Sequence, residues 1–244
     1  MTLRVDLIPS PPYPQPVLVV DVFFGSLVGA LLSAGAREVW VAKSVRAARL
    51  LAEGGALLLG EQEGVPPEGF HGGLSLQALP GLQAEGKTCV LLAPPLAESL
   101  EQMPSETGLA YFRNAKAAVA QALERSIETV VAATQRRLEP SLANTVAAGF
   151  IAKRLHQALG KVGALQEGAH LATALLKSFP DPQESLFQSE MGKQLYLLGR
   201  SEELALASLV SVEGVVPRLK QVRVLEARVY DLTKDRFGFC FQAR

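Results

Sequence analysis

The sequence predicts an α/β fold carried by a mostly parallel sheet. Three observations point to it. Apolar runs without polar alternation recur at residues 17–22, 56–59, 87–92 and 128–133, as expected of strands covered on both faces. Helix-period segments alternate with these runs, which is the pattern of βαβ units. Right-handed crossovers then place helices on both faces of the sheet.

The elements follow in order. Residues 3–8 alternate as a strand, and the prolines at 9, 11, 12, 14 and 16 make a stiff extended connector. The run 17–22 is a buried strand that ends on Asp21. Residues 26–34 read as a helix stopped by Gly35. A short strand at 38–42 precedes a helix capped by Ser44 and running to 53. A strand at 56–59 opens into a Gly- and Pro-rich loop, 62–73, long enough to suggest function. Then come a strand at 87–92, a helix at 95–102, a strand at 109–112, a helix at 115–125 and a strand at 128–133. Beyond Pro140 the character changes to helices at 141–159, 165–178, 188–198 and 202–208. Residues 221–230 and 236–242 alternate again around 231–235, as a terminal hairpin does. A hairpin so regular needs a sheet to join or a partner to cover it. The expected organisation is a main unit over 1–217, with 218–244 as a hairpin extension of the same domain.

The chain has 244 residues, enough for a sizeable core, and its formal net charge is zero. No long-range field draws it to nucleic acid or an anionic membrane. Arg136-Arg137 is the only concentrated basic spot, too small for a patch. No uncharged apolar stretch reaches the ~18 residues of a membrane span, and Asp6 interrupts any signal-peptide pattern. A cytoplasmic protein is expected. Cys89 and Cys240 lie in apolar runs and are expected as packed thiols rather than a disulfide or zinc site. Asparagine occurs only at 114 and 144, and with abundant Ala, Leu and Arg this is a heat-adapted composition.

Ligands of open α/β sheets bind outside the carboxyl ends of strands. Asp21 and Glu61 each follow an apolar run there. Two such carboxylates could hold a magnesium ion, which takes oxygen ligands and keeps several waters. Alternatively, Asp21 caps the turn before its helix and Glu61 is solvated. Gly25-Ser26 opens a helix whose free N–H groups suit a phosphate. His71, in the 69–73 loop, could supply a proton or simply be exposed. Ser99 and Ser141 lack a nucleophile-elbow setting. No Walker loop or dinucleotide fingerprint is present.

The order of these features resembles the 2-phosphosulfolactate phosphatase family, from Val17 to about Pro217. The likeness is carried by Asp21-Val22-Phe23-Phe24-Gly25-Ser26, by Ala34-Gly35-Ala36-Arg37-Glu38-Val39, and by Gly60-Glu61-Gln62-Glu63-Gly64. It continues in Gly69-Phe70-His71-Gly72-Gly73, Ala148-Gly149 and Val215-Val216-Pro217. The resemblance implies a three-layer α/β/α sandwich with a mixed sheet. It also implies a magnesium-dependent phosphatase acting on a small phosphorylated acid. Asp21 and Glu61 would hold the metal, Gly25 and Ser26 would receive the phosphate, and His71 would supply a proton. The sequence departs from the family pattern at several positions. Phe24 stands where the family has arginine, and His71 and Leu74 replace its Asp and Asn. Pro94-Pro95-Leu96-Ala97 replaces Thr-Asn-Gly-Thr, and Ala143-Asn144 replaces Glu-Asp. Phenylalanine offers neither the charge nor the forked donors of arginine. Arg136 and Arg137 are the expected substitutes at the phosphate. The alternative is a catalytically inactive relative that binds a small ligand or a protein. The terminal hairpin also admits a symmetric homodimer.

Overall fold

The structure, a computed structural model, describes residues 2–52, 54–135, 138–160, 163–224 and 236–243. The elements are β1 (Thr2–Asp6), β2 (Leu18–Val20), α1 (Phe23–Ser33), β3 (Glu38–Ala42), α2 (Val45–Leu51), β4 (Leu57–Leu59), β5 (Thr88–Leu92), α3 (Pro94–Leu100), β6 (Gly108–Ala110), α4 (Ala115–Glu124) and β7 (Thr129–Ala132). They continue with α5 (Leu142–Ala158), β8 (Ala164–Leu165), α6 (Glu167–Leu175), α7 (Pro182–Gln188), α8 (Glu190–Leu197), α9 (Ser201–Ser208), β9 (Arg218–Val224) and β10 (Arg236–Gln242).

The strands form one sheet in the order β4-β5-β3-β10-β9-β6-β2-β7-β1-β8. It is two parallel half-sheets joined by an antiparallel seam. β4, β5 and β3 run parallel on one side. β6, β2, β7, β1 and β8 run parallel on the other. Between them, β9 and β10 pair antiparallel with each other, β10 pairs antiparallel with β3, and β9 with β6. The expected mixed, mostly parallel sheet is therefore present. The terminal strands occupy its middle, and the sheet they join is their own. The expected connection at 231–235 lies outside the described residues.

Three layers are filled by three apolar clusters. On one face α1 and α3 pack, through residues such as Val28, Leu31, Leu96 and Leu100, against Val19, Val41, Leu91, Val131 and Phe241. On the other face α4 to α9 cover Val5, Leu18, Val20 and Val130. α2 covers Trp40, Val90 and Cys240 on the far half of that same face. Cys89 and Cys240 are free and buried, as expected, and burial pushes their thiols up to about 11 and about 12.

Local signals explain most boundaries. Ser44 caps α2 by accepting from the Ala47 N–H at 3.1 Å. Gly35 leaves α1 at φ +86°, where a side chain would be strained. The helix expected at 165–178 is shorter. Leu165 instead pairs with Leu3 in β1, the Gln166 N–H donates to the Leu3 carbonyl, and α6 begins at Glu167. α7 went unpredicted, although Asp181 caps it and Pro182 opens it. Among the described residues, no helix is long and apolar enough to cross a membrane.

Candidate active site

Buried polar side chains gather where β2, β6 and β7 end. Asp21, Ser26, Ser99, Asn114, Thr134, Ser141 and Asn144 are all buried there. This is the carboxyl rim of the larger half-sheet, where an α/β sheet places its ligand.

Asp21 is 2% exposed. Its Oδ1 accepts from the N–H of Phe24 at 2.8 Å and of Gly25 at 3.2 Å. The carboxylate thus caps α1 and meets the positive end of its dipole. This is why α1 starts at Phe23, three residues before the sequence suggests. Burial nevertheless dominates: it raises the Asp21 pKa to about 6, against the lowering effect of the amides of Gly25, Phe24 and Phe23. Ser26 is fully buried, and its hydroxyl donates to the Val22 carbonyl at 2.5 Å. Gly25 lies close under Tyr111, where an added Cβ would sit 3.1 Å from the ring. In this state Gly25 and Ser26 direct their donors to the protein itself rather than to a ligand.

The two asparagines close the same rim. Asn144 Oδ1 accepts from the Val22 N–H at 2.9 Å, and its Nδ2 donates to the Ala133 carbonyl at 2.9 Å. It joins the ends of β2 and β7. Asn114 Oδ1 accepts from the Tyr111 N–H, and its Nδ2 donates to the carbonyls of Leu109 and Val215. Ser99, on α3, accepts from the Thr134 N–H at 3.0 Å and shares a hydroxyl contact with Thr134 Oγ1 at 3.1 Å. Ser141 caps α5 by accepting from the Asn144 N–H.

Glu61 belongs to a different constellation. Arg200 Nη1 donates to both its oxygens, at 2.8 and 2.9 Å, and the Leu74 N–H donates to Oε1 at 2.6 Å. Arg200 also donates to the Leu74 carbonyl. This ion pair ties the loop after β4 to the start of α9. Glu203 adds to it by accepting from the Ser75 hydroxyl and from the Leu76 N–H. His71 is bound to β4: its Nδ1 accepts from the Leu58 N–H at 3.0 Å, and its backbone N–H donates to the Leu58 carbonyl at 2.8 Å. An accepting Nδ1 puts the neutral ring's proton on Nε2.

The structure therefore groups Asp21 with Gly25 and Ser26 at the end of β2, and places Glu61 and His71 beside β4, with five strands between the two in the sheet order. Among the described residues, Asp21 and Glu61 share no partner. Arg136 and Arg137 lie outside the described residues. The donor set does not fit a magnesium ion held by Asp21 and Glu61 together, because one is committed to helix amides and the other to a guanidinium. Among the described residues, no group of three or more His, Cys, Asp or Glu is arranged to hold a metal. Sequence reasoning missed Arg200, which carries no motif, and although it placed Asn144 at a departure from the family motif, it did not find the backbone partners of either asparagine.

The profile of the family described as 2-phosphosulpholactate phosphatase matches residues 2–222. The chain belongs to that family. It is 32% identical over 228 residues to a probable 2-phosphosulfolactate phosphatase of Deinococcus radiodurans, covering 90% of this chain and 93% of the relative. It is 30% identical over 237 residues to one from Thermus thermophilus, covering 94% and 99%. A third, from Thermotoga maritima, is 30% identical over 222 residues, covering 88% and 95%. Several positions where this 2-phosphosulfolactate phosphatase family member departs from the motifs now have a structural role. Phe24 is 7% exposed in the apolar layer beneath α1. Pro94 and Pro95 open α3. Asn144 joins two strand ends, and the Leu74 amide binds Glu61.

Proposed function

We propose that this chain is a phosphatase of small phosphorylated acids, with 2-phosphosulfolactate as the substrate to test first. Family membership across nearly the whole chain supports the reaction class. The observation that supports the site is Asp21: a buried carboxyl at the end of β2, with a pKa near 6, against the first amides of a helix. A group poised near neutrality can hold or release a proton during phosphoryl transfer. The same amides become anion donors when the carboxyl is neutral and accepts from them less strongly. Asp21 thus controls both a proton and the donors beside it.

The test is phosphate release from 2-phosphosulfolactate and other small phospho-acids, with and without magnesium, beside Asp21→Ala. Turnover that falls at least 100-fold in the variant supports the reading. Undiminished turnover in Asp21→Ala moves the chemistry to another group.

A second reading, a ligand-binding relative without turnover, is favoured by Phe24. This side chain is packed in the apolar layer at the position of the family arginine. Folded protein that binds these phospho-acids in calorimetry, yet releases no phosphate, would establish it.

A further inference from the structure

On the face opposite α1 and α3, a cavity of about 670 Å³ opens between α4, α5 and the connection from α6 to α7. Its size is that of a small-molecule site. Its floor is apolar and aromatic, formed by Phe112, Val146, Phe150, Leu176, Phe179 and Pro182. Phe112 and Phe150 meet edge to face, with centroids 5.7 Å apart. Its walls carry three cations, Lys116, Lys153 and Arg154, and among the described residues no carboxylate lines it. Arg154 lies over the Phe150 ring, 4.4 Å from the centroid. A second cavity, about 410 Å³, continues along α5 and shares Lys153 and Leu176 with the first. It adds His156, His170 and Lys177, again with no carboxylate among the described residues.

The net charge of the chain is zero, and several cations elsewhere pair with acids: Arg4 with Asp6, Arg113 with Glu213, Arg200 with Glu61, and Lys220 with Glu106. Lys116, Lys153, Arg154 and Lys177 form no ion pair among the described residues. An apolar, aromatic floor ringed by uncompensated cations attracts a ligand with a complementary division: a hydrophobic body and an anionic head. We infer that this cavity is a binding site for a small amphipathic anion, an aromatic or aliphatic phosphate, sulfonate or carboxylate. Asp21, Glu61 and His71 are not among its lining residues, so the inference stands apart from the phosphatase reading.

The probe is 8-anilinonaphthalene-1-sulfonate, an aromatic sulfonate, with N-phenyl-1-naphthylamine as the same ring system without the charge. Both are titrated by fluorescence against the intact chain, and calorimetry supplies the stoichiometry. The expected result is one saturable site for the sulfonate, at least tenfold tighter than for the uncharged ring. The double variant Lys153→Glu with Arg154→Glu should weaken the sulfonate at least tenfold. Both residues are exposed on α5, and circular dichroism confirms the fold. Lys116→Ala, on α4, should weaken it independently, whereas Lys193→Glu, on exposed α8, should leave it unchanged. Equal affinity for both probes, several equivalent sites, or undiminished binding in the double variant and in Lys116→Ala would each overturn the inference.

Discussion

Asp21 serves the structure as a helix cap, and the proposed function adds a role in chemistry. Its carboxylate caps α1, a role worth about 1 kcal/mol for an ordinary cap. Full burial opposes the charge, and burial prevails, raising the pKa from 3.8 to about 6. The group's contribution to stability is complete below about pH 3.8 and is lost as the pH rises through about 6, because the fold then holds a buried charge. The whole window is worth about 3 kcal/mol. Asp21→Asn keeps an acceptor for the Phe24 N–H and has no charge to bury. Its stability relative to the parent should therefore improve by about 2 kcal/mol between pH 4 and pH 7.5. Urea midpoints across that range measure this, and a pH-independent difference would show that Asp21 does not titrate there.

At the scale of elements, the rim is held by side chains that join strand ends. Asn144 satisfies the Val22 N–H and the Ala133 carbonyl, two groups that no ladder bond reaches once β2 and β7 have ended. Asn144→Ala leaves both without that partner in a buried place. It is expected to cost about 2–4 kcal/mol, against about 1 kcal/mol for loss of the Ser44 cap in Ser44→Ala. Chemical denaturation of both variants checks the order. Elements also explain which parts were legible. α2 was readable because its signal is local, a serine three residues before the amide it accepts from. β8 was not: two residues, Ala164–Leu165, carry no pattern, and only pairing with β1 makes them a strand. His71 could be read only as a loop residue, since its partner, the Leu58 N–H, is brought to it by the fold.

For the whole molecule, the decisive feature is the seam. β9 and β10 are the last strands in the chain and the middle strands of the sheet. Without them, β3 and β6 present open edges, and the apolar cluster beneath α1 and α3 loses Leu219, Phe239 and Phe241. A chain ended at Pro217 is therefore expected to lose cooperative unfolding, or to aggregate. Size-exclusion chromatography and thermal melts of that truncation provide the measurement. A cooperative monomer would show that the half-sheets associate without their seam.

The sequence by itself determined the α/β class, most helix and strand positions, the packed thiols and the placing of Asp21 at a strand end, because these follow from periodicity, caps and burial over a few residues. Tertiary structure alone decided that the hairpin lies at the centre of the sheet, that Glu61 meets Arg200 rather than Asp21, and that both asparagines join distant backbone ends. Each of these depends on groups far apart in the chain, 139 residues for Glu61 and Arg200 and 122 for Val22 and Asn144. Local sequence carries no record of such pairings. They arise only when the folded sheet brings a buried charge or an unpaired amide beside the one group that can satisfy it.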